Sequence, residues 1–333
     1  MDNQLTKSPE NSLVAKHNST QTLLGRGLAQ LKNVSLDARY RKARDAYNRI
    51  AGYDCRFKPE FLNIGTEADL LPFKNQIKEL IAIYQELSNL ADAGYGKAYL
   101  PLSIIFQGGK GIETDENMSD FFASKAFEWL STNNDSNDAE ILTDLGYLYK
   151  NGRGVEQDYE QAVYWYRLAA DQGHTVAQCS LGVCYDYGKG VEQDYEQAVY
   201  WYRLAADQGY AFAQWILGVR YENGRGVEQD YEQAVYWYRL AADQGYASAQ
   251  YNLGLCYRYG RGVEHDYEQA VYWYRLAADQ GNANAQYNLG IAYVEGEGVG
   301  KDLLLAASLF RSATKNGHKD AENRLSNLGY TLI

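Results

Sequence analysis

Glycine-rich turns are the first feature that could carry chemistry, because such turns can hold a phosphate group. The tetrapeptides GKGV at residues 188–191 and GRGV at 224–227 have this composition. Neither is followed by a Lys-Ser or Lys-Thr pair. Acidic residues such as Glu192 and Asp194 come next and would repel a phosphate. The sequence therefore predicts structural turns here.

Acidic residues in the recurring sequence VEQDYE could act as an acid and a base, or bind a cation. They lie just before predicted helices, where carboxylates cap backbone amides and interact favourably with the helix dipole. Asp194 is a suitable N-cap, and Gln197 follows it at the spacing of a capping box. We interpret these acids as helix caps and assign no catalytic residue.

Histidine and cysteine could supply a nucleophile or metal ligands, but neither is clustered in this sequence. His174, His265 and His318 lie at non-equivalent or turn positions without a Cys or Ser partner. The four cysteines show no metal-ligand spacing such as CxxC, and so few thiols fit a reducing compartment. The sequence predicts no metal site and no cofactor.

The net charge of the 333 residues is −11, which disfavours nucleic acid or anionic lipid as the main partner. No run reaches the roughly 18 apolar residues of a membrane span, so no membrane insertion is expected. The N-terminus lacks the apolar region of a secretory signal peptide. We expect a cytoplasmic protein, and export into a host cell by a specialised secretion system stays open.

An internal repeat dominates the second half of the chain. The sequence VEQDYEQAVYWYRLAADQG occurs at residues 155–173, 191–209 and 227–245, and at 263–281 with His265 in place of Gln. A diverged copy follows at 299–317, so the period is 36 throughout. A looser motif lies between these blocks, as in AQCSLGVCY from Ala177 and AQWILGVRY from Ala213. Two segments of different variability therefore alternate.

Each segment has helical periodicity. In the looser motif, which we call helix A, Ala177, Leu181 and Tyr185 form an apolar stripe, with Gly182 beside it. The near-invariant block, which we call helix B, ends at a glycine such as Gly209. One helix pair cannot bury its apolar faces, but stacked pairs can. The sequence predicts an all-α protein, an α-solenoid of antiparallel helix pairs.

The repeat resembles the Sel1-like repeat, a relative of the tetratricopeptide repeat. The resemblance is carried by Ala177, Leu181, Gly182, Tyr185, Gly188, Gly190, Val191, Asp194, Ala198, Trp201, Tyr202, Ala205, Ala206 and Gly209. It implies a superhelix and a non-enzymatic scaffold that binds a protein or peptide. It also implies roles in assembly, signalling or host interaction, often in bacteria.

The domain organisation follows from tracing the array towards both ends. We expect a mobile segment at 1–35, an N-terminal helical cap at 36–71 and degenerate repeats at 72–138. These degenerate repeats carry seven extra residues, expected within 113–124. Five repeats then occupy 139–320, and a C-terminal capping helix occupies 321–333.

Candidate partner-binding residues come from comparing the repeats of this one chain. Helix B is almost invariant, whereas helix A varies at four positions, a pattern that favours recognition over neutral drift. If helix A lines the inner surface, as the tetratricopeptide resemblance implies, these positions form a groove with Trp215 as its first anchor. The predicted groove residues are Val176, Cys179, Asp186, Tyr187, Phe212, Trp215, Glu222, Asn223, Ser248, Tyr251, Arg258, Tyr259, Asn284, Tyr287 and Val294.

Two other functions stay open. Some Sel1-like proteins are Cys-rich, with a disulfide in each helix pair and a cell-wall-related or β-lactamase activity. This chain departs from that pattern, because Cys184 and Cys256 occupy equivalent positions two repeats apart, beyond the reach of about 7 Å for a disulfide. The other alternative is a structural spacer or self-associating array. The sequence leaves the oligomeric state open.

Overall fold

The computed structural model describes residues 39, 41–43, 46, 71–108, 115–134 and 138–329. The predicted mobile segment and most of the predicted N-terminal cap lie outside them. The described residues form helices and turns and contain no strand. None of their helices is both long enough and apolar enough to cross a membrane. The chain divides into two compact units, residues 1–165 and 166–333.

The first unit contains four described α-helices and a short 3₁₀ helix at Gly96–Ala98. The α-helices are α1 (Leu71–Asp92), α2 (Tyr99–Gly108), α3 (Glu116–Thr132) and α4 (Ala139–Asn151). Their core contains Tyr84, Leu102 and Phe122, and Ala43 from the predicted cap region is buried in the same cluster. Arg39 forms an ion pair with Glu86 of α1 at 2.5 Å.

The seven extra residues of the first unit do not lie where we expected them. Asp115 caps α3 by accepting a hydrogen bond from the Met118 amide, and it follows Leu102 at the same spacing as Asp194 follows Leu181. The register is therefore intact up to the start of α3. Instead, α3 has 17 residues where the corresponding helix of a regular repeat has 13. Six residues then precede α4, against three between regular repeats.

The second unit is a regular array of helix pairs, preceded by α5 (Tyr159–Asp171), which spans the boundary between the units. Its A helices are α6 (Thr175–Tyr187), α8 (Ala211–Asn223), α10 (Ala247–Tyr259) and α12 (Ala283–Glu295). Its B helices are α7 (Tyr195–Asp207), α9 (Tyr231–Asp243), α11 (Tyr267–Asp279) and α13 (Leu303–Lys315). The short helix α14 (Ala321–Asn327) follows, with Leu325 buried in the last core cluster.

The helix ends follow the local sequence. Asp194 accepts a hydrogen bond from the Gln197 amide at 3.0 Å, which confirms its N-cap role. The second half of the capping box is replaced, because the Asp194 amide donates to the Tyr185 carbonyl instead. Gly188 ends helix α6 in the left-handed conformation with φ 62°, as expected for a glycine after a helix.

A glycine inside each A helix allows close packing against helix B. A Cβ atom on Gly218 would lie 2.6 Å from the ring of Tyr238, closer than carbon atoms approach. The same contact joins Gly182 to Tyr202 and Gly254 to Tyr274. The recurring mid-helix glycine therefore serves a helix contact, which offsets its conformational cost of about 0.5–1 kcal/mol.

Successive repeats are joined by polar contacts that recur at every junction of the second unit. Arg203 of helix B donates to the Tyr221 hydroxyl of the next A helix, and Arg239 and Arg275 repeat this bond with Tyr257 and Tyr293. The buried amides of helix A donate to the preceding B helix, in the pairs Gln214–Ala206, Gln250–Ala242 and Gln286–Ala278. Within each repeat the same side chains accept from the end of helix B, in the pairs Gln208–Gln178, Gln244–Gln214, Gln280–Gln250 and Asn316–Gln286.

The apolar core completes these junctions. Trp237 is buried in a cluster with Ala198 and Tyr202 of the preceding repeat, so it lies in the core between repeats. Trp273 is buried in the next cluster, whereas Trp201 is partly exposed. Since every helix pair packs on its neighbours in this way, the chain is an α-solenoid of antiparallel helix pairs, as predicted.

Candidate functional site

The predicted groove residues lie on α6, α8, α10 and α12, the four A helices of the second unit. Four of them are exposed, namely Tyr187, Asn223, Tyr259 and Asn284. Nine are partly exposed: Val176, Phe212, Trp215, Glu222, Ser248, Tyr251, Arg258, Tyr287 and Val294. The last two, Cys179 and Asp186, are buried.

The structure corrects the prediction for Cys179 and Asp186, because each residue is only 3% exposed. Cys179 lies in the core cluster that contains Ala198 and Tyr202. The Asp186 carboxylate lies 2.5 Å from the Arg220 guanidinium of the next A helix and 3.4 Å from the Tyr202 hydroxyl. A partner on the surface would not reach either side chain.

The residues at positions 186, 222 and 294 match the helix-B side chain that each one faces. The hydroxyl of the buried Tyr238 donates to Glu222 at 2.6 Å, as that of Tyr202 does to Asp186. Burial raises the pKa of Tyr238, so its hydroxyl stays protonated and remains a donor. Where helix B has Phe310 instead, helix A has the apolar Val294. This position therefore serves the core.

Burial also raises the pKa of the Asp186 carboxyl group above its ordinary value, although Arg220 opposes that shift. The carboxylate oxygen Oδ1 and the Arg220 Nε are both buried without a hydrogen-bond partner. The pair consequently has unused hydrogen-bonding capacity in the interior of the array.

An aromatic cluster lies on the surface where α8 and the start of α10 meet. The Trp215 ring is 5.8 Å from that of Phe212 and 5.7 Å from that of Tyr246, measured between centroids. Phe212 and Tyr246 are 6.3 Å apart. All three side chains are partly exposed. We call these residues the aromatic cluster; they form an apolar surface with one open side.

The remaining aromatic groove residues are held by their own neighbours. The Asn288 amide approaches the Tyr251 hydroxyl at 3.5 Å, and the Tyr251 ring lies 6.0 Å from that of Tyr274. Tyr287 stacks on His318 with ring centroids 4.1 Å apart and accepts a hydrogen bond from Arg324. Tyr251 and Tyr287 are therefore less available as anchors than the aromatic cluster.

Two tyrosines at the ends of A helices are the exposed aromatic members of the predicted groove. Tyr187 is 65% exposed and Tyr259 is 58% exposed. The Arg258 and Arg261 guanidinium groups lie 5.9 and 5.3 Å from the Tyr259 ring centroid. Arg258 also pairs with Glu297 at 3.0 Å. This edge thus combines an aromatic ring with both signs of charge.

Sequence reasoning missed two sets of residues. It did not assign the buried glutamines Gln178, Gln214, Gln250 and Gln286, although the Ala-Gln pair in every helix-A motif was a visible signal. It also left open which helix-B tyrosine is exposed. The structure places Tyr202 in the core and Tyr200 on the surface, two residues away on the other side of α7.

The described cysteines, Cys179, Cys184 and Cys256, are buried thiols. Burial raises the pKa of the Cys256 thiol to about 12, with a further contribution from the charge of Glu222. A thiol with this pKa stays protonated near neutral pH and is a poor nucleophile.

The family model of the Sel1 repeat matches residues 140–174, 175–210, 211–246, 247–282 and 283–318, which is more than half of the 333 residues. No curated protein matches the chain.

Two solved bacterial structures are similar, which fits a bacterial origin. A Sel1 repeat protein from Oxalobacter formigenes is 35% identical with a TM-score of 0.59, over 62% of this chain and 83% of that one. The protein c5321, a protective antigen present in uropathogenic Escherichia coli strains that displays an SLR fold, is 25% identical with a TM-score of 0.57. That match covers 98% of this chain but only 62% of c5321. From the repeated helix pairs and the five matched stretches, we conclude that the chain belongs to the Sel1 repeat family.

Proposed function

We propose that this protein is a non-enzymatic scaffold that binds a protein or peptide segment on the helix-A surface of its second unit. Sel1 repeat proteins are generally protein-interaction scaffolds, and the fold is typically non-catalytic. The observation that carries the proposal is the aromatic cluster of Phe212, Trp215 and Tyr246, which leaves partly exposed rings on helix A where the repeats differ.

The proposed contact surface consists of this cluster and the exposed ends of the A helices. Aromatic side chains are enriched among interface anchors because they bury a large area at a small cost in conformational entropy. Tyr187 and Tyr259 add exposed rings, and Arg258 with Glu297 adds polar groups beside them. A partner segment with apolar side chains flanked by charged groups fits this composition.

Variation among the repeats supports recognition at the helix ends. Tyr187, Asn223, Tyr259 and Glu295 occupy the same position in successive repeats, and all four are exposed. Their identity is therefore not dictated by a core contact, unlike that of Asp186 or Glu222. A surface that differs from repeat to repeat suits a partner of non-repeating sequence.

The test compares two double variants of the full chain as baits for partner capture. Tyr187→Ala with Tyr259→Ala removes the exposed helix-A rings. Tyr200→Ala with Tyr236→Ala is the matched control, because it removes two rings of similar exposure from helix B. Trp215 is avoided because it packs against two core clusters, and its loss would affect folding.

The partner that is scored is the protein that wild type cross-links from position 248, next to the aromatic cluster. We expect the helix-A variant to capture this protein at least tenfold less, by quantitative mass spectrometry, while the control captures the same protein as well as wild type does. Equal capture by both variants would contradict the proposal. We also propose a cytoplasmic location, which cell fractionation would test.

A further inference from the structure

The helix-B surface of the second unit presents the same exposed side chains three times in succession. Tyr200, Tyr236 and Tyr272 are each 53% exposed. A glutamate lies one turn before each tyrosine and is also exposed; these are Glu196, Glu232 and Glu268. We call the three tyrosines and three glutamates together the outer row.

The identity of the outer row has no explanation in the core. In α7, α9 and α11 the exposed tyrosine and glutamate are the same, whereas an exposed position of the A helices reads Tyr187, Asn223 and Tyr259. The last B helix, α13, departs from this row with Leu304 and Ser308. Half-exposed tyrosines such as Tyr200 tolerate many replacements without loss of packing. Repetition of the same ring in three successive B helices therefore favours a function on this surface.

The outer row lies in the most acidic part of the chain. Each block from Val191, Val227 or Val263 contains four acidic residues and one arginine, a formal net charge of −3. The block at 155–173 has the same composition, so four blocks carry about as much negative charge as the −11 of the whole protein. This charge attracts a cationic partner and repels nucleic acid and anionic lipid.

The arginine of each block does not neutralise the outer row. The Arg203 guanidinium donates to the Tyr221 hydroxyl and lies 5.8 Å from the centroid of that ring. Among the described residues, no cation forms an ion pair with Glu196, Glu232 or Glu268. The carboxylates are thus open to a charge from outside.

The geometry of each tyrosine–glutamate pair in the outer row suits one cationic side chain. Glu196 and Tyr200 are four residues apart, so they are neighbours on the helix surface. The Tyr200 ring packs edge-on against Trp201 with centroids 5.1 Å apart, and the same contact holds Tyr236 and Tyr272. A lysine or arginine can lie over the ring while its charge meets the carboxylate.

We propose that the helix-B surface is a second binding surface, and that its partner is a polypeptide rich in lysine or arginine. Each repeat receives one cationic side chain between its tyrosine and its glutamate. Several weak, identical contacts along one chain then add up to useful affinity. This surface is distinct from the helix-A surface, which offers non-repeating contacts.

The probe is a synthetic 20-residue peptide with lysine at every third position, compared with a peptide that has glutamine at those positions. Binding to the full-length protein is measured by fluorescence anisotropy at two salt concentrations. We expect the lysine peptide to bind and the glutamine peptide not to bind. The triple variant Tyr200→Ala, Tyr236→Ala, Tyr272→Ala should bind at least tenfold more weakly, although its charge is unchanged.

A charge-matched pair of variants separates a built site from general attraction. Glu196→Gln, Glu232→Gln and Glu268→Gln change the outer row. Glu192→Gln, Glu228→Gln and Glu264→Gln remove the same charge from exposed turn positions just before the B helices. We expect at least a tenfold loss for the first set and less than threefold for the second.

Three results would overturn the proposal: no binding of the lysine peptide to wild type, equal losses for the two glutamine sets, or no loss on removing the tyrosines. The double variant Tyr187→Ala with Tyr259→Ala should bind the lysine peptide like wild type. Failure of the helix-B proposal and failure of the helix-A proposal are therefore distinguishable.

Discussion

Two repeats of the second unit pack the same helix-A glycine against different helix-B rings. In one, Tyr238 is buried against Gly218 and its hydroxyl donates to Glu222 at 2.6 Å. In the last repeat, Phe310 is buried against Gly290 in the same way, but it has no hydroxyl and lies in a cluster with Val294. The helix-A residue is polar where helix B brings a hydroxyl and apolar where it does not.

The comparison separates two kinds of variation along helix A. At positions 186, 222 and 294 the residue type is set by the core, since a buried hydroxyl without a partner costs about 1–3 kcal/mol. At the adjacent positions, which include Tyr187 and Tyr259, the side chains are exposed and no core contact selects them. Variation alone therefore does not identify a recognition surface.

The largest expected loss of stability comes from replacing the helix-A glycine, and it is the same in both repeats. Gly218→Ala would place a Cβ 2.6 Å from the Tyr238 ring, and Gly290→Ala would place one 2.7 Å from Phe310. Each should lower the free energy of unfolding by about 3 kcal/mol through overpacking. Urea denaturation of each variant checks this value, and a loss below about 1 kcal/mol in either would show that the helices can move apart.

A smaller effect tests the hydroxyl rule, by which we mean that helix A supplies an acceptor wherever the facing helix-B ring carries a hydroxyl. Phe310→Tyr introduces a hydroxyl beside Val294 and should cost about 2 kcal/mol, because no acceptor is provided. Adding Val294→Glu should recover at least about 1 kcal/mol of that loss, as coupling between neighbours. A double-mutant cycle by chemical denaturation measures the coupling, and purely additive losses would refute the rule.

Removing a hydroxyl from helix B should lower the free energy of unfolding by less than adding one does. Tyr238→Phe removes the donor to Glu222, but this carboxylate keeps Arg261 at 3.6 Å and a partly exposed position. We expect a loss of about 1 kcal/mol, the typical net contribution of a hydrogen bond. The thermal transition should shift downwards accordingly. A loss as large as that of Gly218→Ala would mean that the ring, rather than the hydroxyl, had been disturbed.

The smallest effect concerns Cys256, whose counterpart in the last repeat is Ala292. Its pKa of about 12 is raised first by burial and then by the charge of Glu222. Iodoacetamide at pH 8 should therefore label Cys256 in the folded protein far more slowly than in the denatured chain. Glu222→Gln should lower the pKa and modestly increase the labelling rate, measured by mass spectrometry. Labelling of the folded protein at the denatured rate would contradict the burial.

Most of the fold could be predicted from the sequence, because period, caps and glycines are local signals. Asp194 caps the start of α7 and the turn at Gly188 follows the end of α6, both as expected. The position of the extra residues in the first unit was not predicted correctly. Ala126 and Trp129 imitate the helix-B motif, but the Asp115 cap decides the register.

The surface could be predicted only in part, because burial depends on residues in the next repeat. Asp186 is buried since Arg220, 34 residues later, reaches back to it. The equivalent neighbour of Glu222 is Cys256, which offers no charge, and Glu222 stays partly exposed. No spacing rule within one repeat contains this information.

The arginine–tyrosine and glutamine contacts between repeats have a consequence for the length of the array. Arg203 bonds to Tyr221 just as Arg239 bonds to Tyr257, and the Gln214 and Gln250 amides donate to Ala206 and Ala242 at the same offset. Deleting or duplicating 36 consecutive residues within this stretch would rejoin equivalent positions and keep both kinds of bond. The pair of Asp186 with Arg220 occurs at one junction, so a deletion that brings Cys256 to the place of Arg220 would leave a buried carboxylate unpaired. The length of the array can therefore change wherever the recurring bonds alone join two repeats.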